Sequence, residues 1–208
     1  MEKFSFDTIN DFDNHIIKSI PNYDILFSSI KSISEYFFCE NTNIYDLGCS
    51  TGKLLKSINN NCNKIGYDIA NLLPKEEGFY EVDLNNKFNI NNACVVYSIF
   101  TMQFLNPSCR KQYLLNIYNG LNKGGALIIS EKIYQNQGKF QEVLSFSHYD
   151  YKKNNFPIDE IFSKEKDLRF IMKPCIESEL DELLNECGFT TKTTFWQMFN
   201  FKAIIAIK

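Results

Sequence analysis

One nine-residue stretch constrains this chain more than any other: Ile44-Tyr45-Asp46-Leu47-Gly48-Cys49-Ser50-Thr51-Gly52. An apolar run ends in an acid, a loop of small residues follows, and Lys53-Leu54-Leu55-Lys56-Ser57-Ile58 then reads as a helix start. Strand, tight turn and helix in that order mark the place where open α/β sheets bind nucleosides. Gly48 and Gly52 let the backbone approach a ligand with no Cβ in the way. Taken alone, the same pattern is also what a buried strand with a structural glycine turn looks like. The spacing Asp-x-Gly-x-x-x-Gly is not the dinucleotide fingerprint Gly-x-Gly-x-x-Gly, which argues against a nicotinamide dehydrogenase.

Two further acids follow in order. Lys64-Ile65-Gly66-Tyr67-Asp68 reads as a second strand, and Asp68 stands 22 positions after Asp46. An acid at that spacing is where such folds grip ribose hydroxyls, and a carboxylate accepts strong charge-assisted bonds from a diol. Phe79-Tyr80-Glu81-Val82-Asp83-Leu84 reads as a third strand ending in an acid. Any one of these could be a solvated loop acid; three at successive strand ends form a pattern. The glycine motif resembles motif I of class I S-adenosylmethionine (SAM) methyltransferases. That resemblance implies an adenine site at Asp83 and Leu84.

Strand and helix signals alternate along the chain. Phe12, Ile16, Ile17 and Ile20 recur at helical spacing up to Pro21, and a second amphipathic helix covers residues 24–38. The interval from Asp68 to Phe79, with Pro74 and Gly78, is too short for a full crossover helix. Cys94-Val95-Val96-Tyr97 is a fourth strand, Pro107 opens a helix ending at Gly120, and Ala126-Leu127-Ile128-Ile129-Ser130 is a fifth strand. Residues 139–173 read as two helices with an irregular joint at 154–157. Residues 177–186 form another helix, and two strands close the chain. The expected fold is α/β: one Rossmann-like domain over residues 1–208, with a seven-stranded, mostly parallel sheet and an antiparallel C-terminal edge. Helices fill residues 1–40, and the helical insertion at 138–175 is the natural lid.

Composition narrows the function. With 208 residues, 44% hydrophobic, the chain is one domain's worth with ample core. Net charge is −3 and no basic cluster exceeds Lys152-Lys153, which argues against direct nucleic-acid binding. No apolar run approaches the ~20 residues of a membrane span, and residues 1–7 lack a signal peptide's apolar core. Seven cysteines stand singly, with no Cys-x-x-Cys, so neither a metal site nor a disulfide framework is expected; a reducing cytoplasm is.

Longer segments sharpen the resemblance. They are Lys18-Ser19-Ile20-Pro21-Asn22-Tyr23, Tyr45 to Gly52, Thr101-Met102-Gln103-Phe104-Leu105-Asn106-Pro107, and Ile117 through Ser130-Glu131-Lys132. Asp150-Tyr151-Lys152-Lys153 and Trp196-Gln197-Met198-Phe199-Asn200-Phe201 complete the set. Together they resemble the carboxy-S-adenosyl-L-methionine (carboxy-SAM) synthases, enzymes of tRNA wobble-uridine modification. The resemblance implies conversion of SAM and prephenate to carboxy-SAM and phenylpyruvate by a cytoplasmic homodimer. The sulfonium methyl is there deprotonated to an ylide that captures carbon dioxide released from prephenate. It also implies a ligand site of Tyr23, Asp46, Gly48, Ser50, Gly52, Asp68, Ile69, Asp83 and Leu84, with Tyr23 over the ligand. SAM, carboxy-SAM or S-adenosylhomocysteine are the molecules to expect in it.

Three departures stand out. The family's carboxylate-binding Arg falls on Lys166 or on Glu165, depending on the side from which the segments are matched. Lys166 would keep the charge without the bidentate fork, whereas Glu165 would repel a carboxylate. The helix between the second and third strands is truncated, and the family's Asn after the fourth strand falls on Ser98 or Ile99. Two other functions stay open: an ordinary SAM-dependent methyltransferase acting on an unknown acceptor, and a non-catalytic SAM-binding protein. His148 reads as a structural hydrogen-bonder, Lys152-Lys153 as a solvated helix face, and Trp196 with Phe195, Phe199 and Phe201 as sheet packing.

Overall fold

The computed structural model describes residues 11–70 and 72–208; the segment 1–7 lies outside the described residues. Two helices, α1 (Phe12–Ser19) and α2 (Tyr23–Ser34), come first. The Asp11 side chain caps α1 by accepting from Asn14 N at 3.1 Å, and Pro21, just past its end, cannot continue it. Then follow β1 (Asn43–Leu47), α3 (Lys53–Ser57), β2 (Asn63–Asp68), β3 (Phe79–Glu81) and β4 (Ala93–Ile99). Two 3₁₀ turns, Met102–Phe104 and Pro107–Cys109, lead into α4 (Arg110–Gly120) and β5 (Leu121–Tyr134). The chain ends with α5 (Gly138–Lys152), α6 (Ile158–Ile171), β6 (Cys175–Ile176), α7 (Glu177–Glu186), β7 (Thr191–Met198) and β8 (Phe201–Ile207).

The sheet runs β3-β2-β1-β4-β5-β8-β7. Strands β1 to β5 pair in parallel, β8 is antiparallel to both β5 and β7, and the short β6 adds in parallel to the far end of β5. Seven main strands with an antiparallel C-terminal edge match the sequence expectation, and β6 is the one addition. Between β2 and β3 the described residues form no helix, as the short interval required.

Alternate residues of the central strands feed two cores, because side chains of a strand point to opposite faces. Tyr45, Val96, Leu127 and Ile129 pack with α4 and α7 through Leu114, Ile117 and Leu184. Ile44, Val95, Tyr97 and Ile128 pack on the other face with Leu26 and Ile30 of α2 and Leu54 and Leu55 of α3. Both faces of the parallel strands are thus covered, which is why their sequences read as continuous apolar runs. Leu127 is fully buried; truncating such a leucine to alanine typically costs about 2–5 kcal/mol.

One register detail positions the site. The β4–β5 pairing stops at Ile99↔Ser130, while β5 continues against β8 as far as Lys132↔Phe201. Glu131 and Lys132 therefore extend past the end of β4.

Candidate active site

In an open α/β sheet, ligands bind outside the carboxyl ends of the strands where the strand order reverses. Here that point lies between β1 and β4, and a cavity of about 500 Å³ opens there. After β1 the chain must turn sharply. Gly48 does so at φ +82°, and the Gly48 and Cys49 N–H groups both donate to Tyr67 O, at 2.7 and 3.1 Å. Thr101 Oγ1 donates to Leu47 O at 2.7 Å, and a Cβ on Gly48 would overlap the Thr101 side chain. Ser50, at φ +47°, and Phe100, at φ +57°, are non-glycine residues in the left-handed region and both line the cavity. Such conformations cost about 1–3 kcal/mol each and cluster at ligand sites.

The acids gather on the β1–β3 side. Asp68 Oδ2 accepts from Ser50 N at 2.7 Å, and Oδ1 from Ile69 N at 2.7 Å and Ala70 N at 2.8 Å. Asp46 is 3% exposed. Burial, and then the nearby Asp68, push its carboxyl up to about 7. Asp83 stands at the exposed rim, where Asn85 N and the Asn85 and Asn86 side-chain amides donate to it at 2.9–3.0 Å. Leu84, Ile69, Ile99 and Tyr23 also line the cavity. The phenol of Tyr23 is held above its ordinary range by burial and by Asp46. Its ring stands 6.4 Å from that of Phe100.

Three of the sequence-derived site residues lie elsewhere. Gly52, at φ +71°, caps α3 and does not line the cavity; a Cβ there would meet the Phe79 ring at 2.5 Å, so this glycine serves packing. Ser98 is fully buried and accepts from Tyr113 OH at 2.8 Å, facing the helix layer rather than the cavity. Lys166 is exposed and absent from the cavity wall, because α6 turns Glu165 inward instead.

The cationic side comes from Lys132, Lys152 and Lys164. Lys132 arrives on the extension of β5. Lys152, read as solvated, is 5% exposed at the end of α5. Between them lies Glu165, with Oε1 3.0 Å from Lys152 Nζ and Oε2 3.7 Å from Lys132 Nζ. Burial alone would raise the Glu165 carboxyl, but Lys132 and Lys152 more than offset it and hold the group below its usual range. Lys164 adjoins the cavity in contact with His15. Burial and the neighbouring Lys152 lower Lys164 to about 8. The signal available in the sequence was the i, i+4 pair His148 and Lys152, which puts both on one helix face. They are the two buried residues of α5.

Helix α1 closes the cavity. His148 Nε2 lies 2.8 Å from Ser19 O, so this nitrogen carries the proton and donates. Tyr151 OH donates to Ile17 O at 3.3 Å and Asn155 Nδ2 to Lys18 O at 3.2 Å. At its other end α1 reaches the glycine loop, where Thr51 Oγ1 donates to Asp13 at 3.3 Å. On the floor, Glu131 accepts from Met102 N at 2.9 Å and Gln103 N at 2.7 Å, and so fixes the turn that carries Gln103 into the cavity wall.

A polar nucleoside fits this surface. Ser50 Oγ is buried in the cavity wall with no hydrogen-bond partner among the described residues. Three carboxylates stand beside it, and apolar walls from Leu84, Ile99 and Phe100 suit a base.

No family model matches the chain. Among solved structures, a SAM-dependent methyltransferase of Thermotoga maritima superimposes with a TM-score of 0.61 at 16% identity, over 97% of this chain and 96% of that one. Human N-acetylserotonin methyltransferase, solved in complex with SAM, gives a TM-score of 0.55 at 16% identity over 88% of this chain; the match spans 55% of the human protein. These show a shared fold. Closer relatives are the carboxy-S-adenosyl-L-methionine synthases of Staphylococcus epidermidis, Shewanella halifaxensis and Psychromonas ingrahamii. The first is 34% identical over 97% of this chain and 94% of its own length. The second is 34% identical over 95% and 88%, and the third 33% identical over 100% and 94%. At that identity over nearly its full length, the chain belongs to the carboxy-S-adenosyl-L-methionine synthase family, SAM-dependent transferases on the class I methyltransferase fold.

Proposed function

We propose that this chain carries out the reaction implied by its family, converting SAM and prephenate to carboxy-SAM and phenylpyruvate. The supporting observation is the division of charge across the cavity: Asp46, Asp68 and Asp83 on one side, Lys132 and Lys152 on the other. SAM supplies a sulfonium-activated methyl group. Asp68 and Asp83 would hold its ribose and adenine, with the Ser50 hydroxyl and Gly48 backbone alongside. Two buried lysines share one glutamate, which leaves positive charge for a carboxylate brought in or formed there; a bare carboxylate in such a site would otherwise be costly. Lys132 and Lys152 thereby take the role first assigned to Lys166. Helix α1 and the α5–α6 insertion exclude water and strengthen these interactions.

The same reading covers the finer expectations: one SAM-binding domain with residues 138–175 as its lid, service to tRNA modification through a small-molecule product, and a cytoplasmic homodimer. Seven free cysteines suit a reducing compartment. Among the described residues, no helix is long and apolar enough to cross a membrane. The exposed Phe140, Val143 and Phe146 of α5 and Phe162 and Phe170 of α6 suit a covered face in a dimer; sedimentation tests that part directly.

The decisive assay incubates the protein with SAM and prephenate and follows carboxy-SAM and phenylpyruvate by mass. Both products are expected, in equal amounts. If neither forms, carboxylation is rejected and methyl transfer to another acceptor takes its place.

A further inference from the structure

Glu165 carries the opposite charge to the arginine that the sequence resemblance places in its neighbourhood, yet it lies inside the cavity. Its side chain is 10% exposed, that of Lys152 7% and that of Lys132 13%. The two contacts are unequal. The 3.0 Å approach to Lys152 is a charge-assisted hydrogen bond, whereas 3.7 Å to Lys132 lies beyond hydrogen-bond distance. The Lys132 ammonium also faces the Phe201 ring at 5.9 Å. Glu165 thus accepts its hydrogen bond from Lys152 and pairs with Lys132 by charge at the longer distance, so Lys132 is the less fully engaged of the two ammoniums. A ligand carboxylate entering here meets an attractive ammonium and, close behind it, a like charge fixed in the wall. His148, beside this cluster, is neutral: burial and Lys152 hold it near 4, outweighing the hydrogen bond to Ser19 O, which acts the other way.

We propose that Glu165 is a specificity-determining residue: a built-in carboxylate that occupies Lys152, directs a ligand's carboxylate to Lys132, and limits how much negative charge this end of the cavity accepts. The proposal rests on the functional reading above, in which one carboxylate-bearing ligand is bound here. Its consequence is that the wild-type cavity holds carboxy-SAM less tightly than the two lysines alone would, which favours product release.

Calorimetric titration of the intact protein with SAM and, separately, with carboxy-SAM tests this. In Glu165→Gln, carboxy-SAM is expected to bind about tenfold tighter or more while SAM changes less than about twofold. In Lys132→Met the preference for carboxy-SAM over SAM is expected to disappear. If two uncompensated lysines keep Glu165→Gln from folding, Glu165→Asp retains the charge but withdraws it by one methylene, and a smaller gain in carboxy-SAM affinity is expected. Carboxy-SAM affinity that is unchanged or weaker in the variant that folds overturns the proposal, since Glu165 would then merely hold the lysines in place. The readout is binding, so absence of turnover with prephenate in the wild-type protein rejects the proposed reaction separately.

Discussion

The Asp68 carboxylate receives the backbone N–H of Ser50 at 2.7 Å, tying the end of β2 to the glycine loop that follows β1. An acid expected only to grip a ribose thus also shapes the loop beneath it. Its other oxygen accepts from both Ile69 and Ala70, so Oδ1 has its two lone pairs engaged and Oδ2 keeps one for a ligand hydroxyl.

Asp68→Ala is therefore expected to do two things. Loss of charge-assisted bonds to the ligand weakens SAM binding by about 1.5–3 kcal/mol. Three N–H groups lose their acceptor as well, which lowers the unfolding free energy by about 1–2 kcal/mol. Calorimetry and urea titration measure the two separately. Unchanged SAM affinity in a folded variant would remove Asp68 from the ligand site.

Two lysines fourteen residues apart in sequence carry opposite expectations. Lys166 is exposed, and Lys166→Arg or Lys166→Ala should leave turnover within about twofold, as for surface changes generally. Lys152→Met strips a buried carboxylate of its nearer partner and should cost about 3–5 kcal/mol of stability. Adding Glu165→Leu to Lys152→Met should recover most of that loss, because removing both charges spares the burial penalty. Denaturant titration of both singles and the double completes the cycle, and a double as unstable as the Lys152 single would show that the pair does not act as a unit.

The acidic side of the cavity was legible because each of its residues is set by a local rule: strand, then acid, then turn. Asp46, Asp68 and Asp83 follow one another at the ends of β1, β2 and β3, and neighbouring parallel strands bring their carboxyl ends together. The helices of the insertion were legible for the same reason, periodicity broken at Pro157. The cationic side was not. Lys152 meets Glu165 only because α5 and α6 fold back on one another, and no short window contains that pairing. Lys132 ends one of the segments that carry the resemblance, but its position depends on β8 pairing beyond the last residue of β4. Gly52 was misjudged because the motif suggests ligand approach, whereas the group pressing on it is the Phe79 ring from another strand.

His148 sets an acid limit on the fold. Burial, and then Lys152, lower it from 6.5 to about 4. The folded chain thus refuses a proton that the unfolded chain accepts between pH 6.5 and 4, so this contribution to stability is complete above 6.5 and is lost as pH falls. By pH 5 the loss amounts to about 2 kcal/mol. His15, also lowered, acts in the same direction but is half-exposed and contributes less. His148→Gln keeps a donor for Ser19 O and removes the titration. Its stability relative to wild type should therefore rise as pH drops from 7 to 5 in urea titrations; a pH-independent difference would show that His148 titrates alike in the folded and unfolded chains, and a relative stability that falls would show that it is already protonated when folded.

Asp46 responds to pH in the opposite sense, and its response reports on the ligand. Burial and Asp68 raise it from 3.8 to about 7, so the folded chain keeps a proton that the unfolded chain has lost, and stability from this group declines as pH rises through that window. Asp46→Asn should accordingly gain stability over wild type between pH 5 and 8. At pH 7 the free protein holds about half a proton at this site. SAM brings a sulfonium cation into the cavity that Asp46 lines, and a nearby positive charge favours the ionised carboxylate. Binding is then expected to release close to half a proton at pH 7 and to tighten as pH rises from 6 to 8. Titrations in phosphate and in Tris, whose ionisation heats differ, should give different apparent enthalpies for wild type and the same enthalpy for Asp46→Asn. Equal enthalpies in both buffers for the wild-type protein would mean that the cation binds out of reach of Asp46.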